Sequence, residues 1–158
     1  MRPLLLALSL TAASAVLAGG AGVDYPAGYR DWTHVKSLIL ESGHPLYDAF
    51  GGLHHIYAND KAMEGYRTGR FPDGSVIVFD LLEAKTGDNA IAEGPRKILG
   101  VMQRESGKFA QTGGWGFEGF PQGDPNRRAV GDQAKTACYA CHAEQASKTE
   151  LVFSVWRD

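Results

Sequence analysis

The clearest strand signal in the chain is the segment SVIVFDLLEA, residues 75–84. The segment is rich in β-branched residues, which favour strands. The preceding residues FPDG, 71–74, are typical of a turn. We therefore predict a strand that begins after this turn. Its side chains alternate between the two faces of a sheet, with Val76, Val78 and Asp80 on one face and Ile77, Phe79 and Leu81 on the other.

Further strands are predicted downstream of this segment. In GGWGFEGF, Trp115 and Phe117 share one face of a strand and Phe120 points to the other. Short turns between neighbouring strands favour antiparallel pairing. The three predicted strands are RKILGVMQRE (96–105), GGWGFEGF (113–120) and LVFSVWR (151–157).

The N-terminal half of the chain has a less regular pattern. HHIYAND (54–60) predicts a short strand, which is followed by a helix over 61–69 that Asp60 caps and Gly69 ends. DWTHVKSLIL (31–40) fits a helix or a strand. Strands dominate and the helices are few and short. The predicted fold class is α+β, mainly an antiparallel β-sheet with a few short helices.

The beginning of the chain has the layout of a secretory signal peptide. Arg2 precedes an apolar run and then small residues, and a cut after Ala18 places Val16 and Ala18 at the −3 and −1 positions. A membrane anchor is the alternative, but polar residues interrupt the apolar segment and it is short for a span. We therefore expect residues 1–18 to be removed on export to the periplasm, leaving a single domain over residues 24–158.

Charge and hydropathy exclude two classes of partner. The full chain has a net charge of −2, and removing residues 1–18, which hold one base and no acid, takes it to −3. A mildly acidic protein lacks the basic surface that nucleic acid requires. No later segment approaches transmembrane length, so we expect no membrane span in the mature chain.

Both cysteines of the chain lie in TACYACHAEQ, residues 136–145. Cys138 and Cys141 are on one face of a helical turn, and His142 follows directly. The pattern Cys-x-x-Cys-His is the attachment signature of c-type haem. Each thiol bonds one vinyl group of the porphyrin, and the histidine reaches the iron as its proximal ligand. The sequence therefore predicts one covalently attached haem c on a helical segment over 131–145.

Three other interpretations of this motif are weaker. A structural zinc site needs four ligands, and the chain has no second cysteine pair. A thioredoxin-like Cys-x-x-Cys belongs in a βαβ context, which the flanking sequence does not offer. A disulfide between Cys138 and Cys141 stays open for an exported protein, although it leaves His142 without a role.

Several of these segments, taken in order, resemble the cytochrome P-460 family. The resemblance covers the chain from about Tyr25 to Phe153. It implies a mainly antiparallel β-sheet domain, usually a homodimer, with haem c lying against one face of the sheet. The segments that carry it are HHIYANDKAMEGYRTGRFPDGSVIVFDL (54–81), GGWGFEGF (113–120), CYACH (138–142) and LVFS (151–154).

The family has two branches with different functions. One branch oxidises hydroxylamine, and it carries a lysine that crosslinks to the porphyrin edge and a distal carboxylate that handles protons. The other branch, cytochrome c′-β, lacks the crosslink. It binds small gases, chiefly nitric oxide and carbon monoxide, in an apolar pocket capped by phenylalanines.

The resemblance places this chain in the gas-binding branch. In alignment with the family, the crosslinking lysine falls at Phe79 and the distal glutamate falls near Gly100, and neither residue can do that chemistry. Lys85, six residues beyond Phe79, does not match. Phe50 and Phe79 match the two capping phenylalanines, although a plain core role is the alternative for both. No catalytic residue is assigned.

The resemblance also implies an open position on the iron opposite His142. An apolar roof there favours nitric oxide and carbon monoxide over dioxygen. Three hypotheses remain: a gas-binding cytochrome, an enzyme acting on hydroxylamine or nitric oxide, and an electron carrier with a sixth iron ligand. Two roles stay open for Arg127 and Arg128: contact with the haem propionates, and exposure on the protein surface. The candidates for a sixth ligand are Met63, Met102, His34, His44, His54 and His55.

Overall fold

The computed structural model of the protein describes residues 22–157. The predicted signal peptide, residues 1–18, lies outside the described residues. One antiparallel sheet of five strands organises the described chain, and strands that are consecutive in sequence are neighbours in the sheet. The strands are β1 (Thr33–Leu40), β2 (Gly52–Ala58), β3 (Val76–Gly87), β4 (Ala90–Arg104) and β5 (Trp115–Pro121).

The helices are short and lie between or after the strands. A π-helical turn, Lys135–Tyr139, leads directly into the last of them. The predicted α+β fold with a mainly antiparallel sheet is therefore confirmed, and the ambiguous segment 31–40 contains a strand. The helices are α1 (Tyr47–Phe50), α2 (Asp60–Thr68) and α3 (Ala140–Gln145).

β3 and β4 form the longest hairpin of the sheet. The turn between them consists of Asp88 and Asn89, with φ angles of 51° and 60°. A two-residue turn with both φ angles positive matches the right-handed twist of the strands, and Asp and Asn tolerate this conformation. Strand β4 therefore begins at Ala90, well before the predicted strand over 96–105.

The two faces of the sheet carry separate hydrophobic clusters. The face that carries Ile77, Trp115 and Phe117 packs against α2 and the C-terminal segment, and we call it the cavity face. The opposite face carries Val78 and Phe120 and packs against residues that precede β1, among them Val23 and Tyr29. The prediction that Trp115 and Phe117 share a face and that Phe120 points away is confirmed.

Helix α2 is capped by Asn59 and not by Asp60. The Asn59 side-chain oxygen accepts hydrogen bonds from the backbone N–H of Ala62 at 2.9 Å and of Val76 at 3.0 Å. Asn59 thus caps the helix and ties it to the start of β3, which Asp60 could not do from inside the helix. Gly69 ends the helix with a φ of 77°, as predicted.

The prediction of a strand over 151–157 is wrong. Glu150 and Leu151 have φ angles of 51° and 71°, which turn the chain sharply after the last helical turn. Residues 152–157 then run without strand pairing. The apolar residues of this segment are also not all buried: Val152 packs into the cluster on the cavity face, whereas Phe153 and Val155 are exposed.

Candidate functional site

A cavity of about 400 Å³ lies against the cavity face of the sheet, with the C-terminal segment as another wall. This volume is within the range of small-molecule and cofactor sites, about 300 to 1,000 Å³. All five strands contribute lining side chains, most of them aliphatic or aromatic. The cavity brings together the five site residues predicted from the sequence: Cys138, Cys141, His142, Phe50 and Phe79.

The two cysteines are held by consecutive helical turns. Cys138 is half-buried in the π-helical turn and Cys141 is exposed in α3, and both are free thiols. Burial, assisted by the nearby charge of Glu118, raises the pKa of the Cys138 thiol to about 11. The disulfide that the sequence left open is not formed, so both sulfur atoms are available for another bond.

His142 has a fixed orientation on the cavity wall. Its ring lies between Phe117 and Phe153, with ring centroids 4.9 Å and 4.7 Å away. Its Nδ1 donates a hydrogen bond to the backbone oxygen of Leu151 at 2.7 Å. Because that oxygen can only accept, Nδ1 carries the proton, and Nε2 keeps its lone pair. Burial lowers the pKa of His142, which favours the neutral, ligating form.

Phe50 and Phe79 meet edge to face at the cavity, with ring centroids 5.9 Å apart. His54 touches both: its ring is 4.7 Å from Phe79, and its Nε2 donates to the Phe50 carbonyl oxygen at 2.6 Å. Lys97 donates to the next carbonyl oxygen, that of Gly51, at 2.7 Å. These two hydrogen bonds hold the end of α1 over the sheet. We call Phe50, Phe79 and His54 the roof.

The positions that would separate the two branches of the family lie side by side. Phe79 of β3 and Gly100 of β4 are direct cross-strand partners, and both line the cavity. Neither presents an ionisable group. Lys85 lies further along β3, exposed and outside the cavity lining.

The candidates for a sixth iron ligand differ in whether they line the cavity. Met102, His44 and His54 line the cavity, whereas Met63 is buried in the hydrophobic cluster beside it. The adjacent residues His54 and His55 point to opposite faces of the sheet, as alternation along a strand requires. His55 accompanies His34 on the other face, where both hydrogen-bond to Ser37.

The residues present fit a haem better than a metal held by side chains alone. Among residues 22–157, no group of three His, Cys, Asp or Glu side chains is placed to hold a metal ion. A porphyrin supplies four iron ligands itself and needs one imidazole from the protein, which His142 offers. The two free thiols beside that imidazole and the apolar walls suit the edge and faces of the macrocycle.

Sequence analysis missed several contacts at this site. The sequence suggests His54 as an iron ligand and not as part of the roof, and it predicts Phe153 within a strand. The alternation of β2 indicates the face on which His54 lies, but no sequence signal predicts its bond to Phe50. Arg127 and Arg128 lie outside the cavity lining, where they bond to Gln122 and to the backbone of Val23.

Comparisons with known proteins agree with the geometry. The family model of Cytochrome P460 matches residues 26–154, most of the chain. No curated protein matches the chain significantly. No helix within residues 22–157 has the length and hydropathy to cross a membrane. Membership of a cytochrome family implies a haem cofactor, and this chain belongs to the cytochrome P460 family.

Proposed function

We propose that the protein is an exported c-type cytochrome with one haem, bonded covalently to Cys138 and Cys141 and held at the iron by His142. One observation carries the proposal. A single apolar cavity is lined by both free thiols and by a neutral imidazole whose other nitrogen is hydrogen-bonded to Leu151. A histidine that donates the N–H of its non-ligating nitrogen to a carbonyl oxygen is the usual arrangement of a metal-ligating imidazole.

The proposed activity is reversible binding of nitric oxide and carbon monoxide. The haem, when bound, supplies an iron with an open position for a diatomic ligand. The apolar rings of Phe50 and Phe79 would disfavour water and larger molecules at that position. Phe50 and Phe79 offer no hydrogen-bond donor, and the N–H of His54 is engaged by the Phe50 carbonyl. A roof without a free donor favours nitric oxide and carbon monoxide over dioxygen, because bound dioxygen carries partial negative charge that only a hydrogen-bond donor would stabilise.

Oxidation of hydroxylamine is not favoured as an alternative. The resemblance to the family implies that this activity uses a crosslinking lysine and a distal carboxylate. The corresponding cavity positions carry Phe79 and Gly100. A simple electron carrier has one observation in its favour, since Met102 lines the cavity and thioethers ligate iron in many cytochromes.

The proposal includes the cellular setting of the protein. Cleavage after Ala18 and export would place the chain in the periplasm, where haem c is attached in bacteria. The family resemblance supports a homodimer. Gel filtration with light scattering of the haem-loaded protein tests the dimer, and mass spectrometry of the mature chain tests the cleavage site.

The experiment that tests the proposed function is an absorption spectrum of the reduced protein, produced in a host that matures haem c, before and after carbon monoxide. We expect a high-spin haem c spectrum that shifts on addition of the gas. A low-spin spectrum indifferent to carbon monoxide would instead support the electron carrier with Met102 as ligand. A Soret band moved far to the red would indicate a crosslinked porphyrin and contradict the assignment of Phe79.

Variants of the motif supply the matched controls. Changing both Cys138 and Cys141 to alanine should abolish the haem that survives denaturing electrophoresis. His142→Gly should keep covalent haem but lose the proximal bond, so that added imidazole restores the spectrum. Covalent haem in the double cysteine variant would contradict the proposed attachment.

A further inference from the structure

Lys36 is the one lysine or arginine among residues 22–157 that lines the cavity. We propose that Lys36 binds a propionate carboxylate of the haem. The inference rests on the proposed function, because it assigns a contact to the proposed cofactor. The sequence alone does not predict this contact, because Lys36 lies in the segment 31–40, which fits a helix or a strand.

A β-bulge brings this charged side chain to the cavity face. The register of β1 against β2 shifts between His34 and Lys36. Val35 is buried in the cluster on the cavity face, so strict alternation would point Lys36 to the opposite face. The bulge lets two consecutive residues serve the same face, and bulges beside functional sites commonly redirect a side chain in this way.

Lys36 lies at the opposite edge of the sheet from the haem-attachment motif. His142 packs on Phe117 of β5, at one edge, and Lys36 belongs to β1, at the other. Four strand spacings of about 4.8 Å separate these edges by roughly 19 Å. Haem carries its propionates on the edge opposite its two vinyl groups. If the thioether bonds form beside β5, propionates on the opposite edge of the haem would lie within reach of Lys36 on the β1 side of the cavity.

The sheet surface between the two edges has glycines on β4 and β5, on the side of the haem-attachment motif. One row of paired residues crosses the sheet from β1 to β5, and two of its five members are glycines. A Cβ added at the second of these glycines, Gly119, would lie 2.7 Å from the Ile98 side chain, so this position of the sheet has no room for a larger residue. The row is Lys36, Ile56, Phe79, Gly100 and Gly119.

The ammonium group of Lys36 has no protein partner within the described part of the chain: it takes part in none of the ion pairs there. Other cations around the sheet are engaged, such as Lys97 with Gly51 and Arg96 with Asp80. The Lys36 residue is partly buried at the cavity, and a propionate would supply the anionic partner that its ammonium lacks.

The contact has an electrochemical consequence. A positive charge beside the haem favours the reduced iron, which carries less positive charge, so removing it should lower the midpoint potential. Lys36 also lowers the pKa of a neighbouring propionate. Without Lys36 that pKa rises, and the potential should then increase as the pH falls through the new value.

The test is a spectroelectrochemical titration of the haem-loaded protein from about pH 5 to pH 8. Lys36→Gln should shift the midpoint potential downward and make it depend on pH. Lys36→Arg, which keeps the charge and the donors, should resemble the wild type. Lys85→Gln is the matched control, because it removes an exposed lysine outside the cavity.

Two results would overturn the inference, and they are distinguishable. If Lys36→Gln carried covalent haem but matched Lys85→Gln in potential and pH dependence, Lys36 would not contact a propionate and the proposed function would stand. If the wild type carried no covalent haem, the proposed function would fail and this assignment with it.

Discussion

The ring of Phe79 lies over the backbone of Gly100, its direct partner on the neighbouring strand. A Cβ added at Gly100 would be 3.0 Å from Cδ1 of Phe79, closer than an ordinary van der Waals contact. A phenylalanine at position 79 in this orientation therefore depends on a residue without a side chain at position 100. The family resemblance implies that position 79 and a position near 100 distinguish its branches. Because Phe79 and Gly100 compete for one volume, we expect them to change together.

Gly100→Ala should lower the free energy of unfolding, because the added methyl group must displace the Phe79 ring. The same change should cost less in a Phe79→Ala background, where that ring is gone. We expect a coupling energy of about 1 kcal/mol between the two positions. Urea titrations of the four proteins measure it. Gly107→Ala is the control, since nothing lies within 4 Å of its Cβ position. Equal costs of Gly100→Ala in both backgrounds would show that the ring and the glycine are independent.

Phe79→Leu should admit larger ligands to the iron. The roof contact between Phe79 and Phe50 would be lost, and the space released lies inside the cavity. We expect the affinity of the ferric protein for imidazole to rise about tenfold, or about 1.4 kcal/mol, with a smaller change for carbon monoxide. Spectroscopic titration measures both. Phe120→Leu makes the same change on the opposite face and should leave both affinities unaltered; an equal effect there would refute a roof role for Phe79.

His54→Ala should weaken the contacts that hold Phe50 and Phe79 in place at the cavity. The variant loses a buried hydrogen bond to the Phe50 carbonyl and a ring contact with Phe79. We expect a loss of about 2 kcal/mol in the free energy of unfolding and faster entry of imidazole in stopped-flow mixing. His54→Gln keeps an N–H donor and should restore part of the stability. If His54→Ala bound imidazole at the wild-type rate, His54 would not position the roof.

The lowered pKa of His54 predicts that the free energy of unfolding depends on pH. Burial lowers its pKa from 6.5, and the hydrogen bond to Phe50 offsets this only in part. The unfolded chain therefore binds more protons than the folded one at acidic pH, so the stability supplied by the neutral ring is lost as the pH falls below about 6.5. Urea titrations across this range should show a smaller decline for His54→Gln than for the wild type. His34→Gln, at an exposed position, should decline as the wild type does.

The sequence pattern correctly predicted the strands that pack apolar side chains on both faces of the sheet. Strands β3 and β5 alternate apolar residues between two clusters, so their period and orientation follow from the residues alone. The Cys-x-x-Cys-His motif likewise has a local spacing that corresponds to a helical turn. The same criterion fails for residues 151–157, because a run of apolar residues does not by itself indicate strand pairing, and Val152 is the one fully buried residue of this segment.

The parts of the site that depend on distant contacts could not be predicted. Lys36 reaches the cavity through a bulge, which has no signature in the sequence of β1. Phe50 lies in the four-residue helix α1, too short to show a period. The orientation of His142 depends on the Leu151 carbonyl, which faces it only because the chain turns at Glu150 and Leu151.

Asp80 should be essential for stability but not for the spectrum. Its buried carboxylate accepts hydrogen bonds from Arg96 at 2.6 Å and from the Tyr29 hydroxyl at 2.5 Å, on the face opposite the cavity. Burial alone would raise the pKa of Asp80, but these hydrogen bonds hold it below its ordinary value. Asp80→Ala leaves the buried end of Arg96 without its partner. We expect a loss of about 3 kcal/mol in the free energy of unfolding.

The sign of the pH effect follows from the lowered pKa. The contribution of Asp80 is fully present above its ordinary pKa of 3.8 and is lost as the pH falls through the lower folded-state value. Urea titrations at neutral pH should therefore show the full difference between the wild type and Asp80→Ala, while Asp88→Asn, at the exposed hairpin turn, should show almost none. The carbon monoxide spectrum of folded Asp80→Ala should match the wild type, because the sheet separates Asp80 from the roof. An altered spectrum would mean that the packing behind β3 sets the position of Phe79.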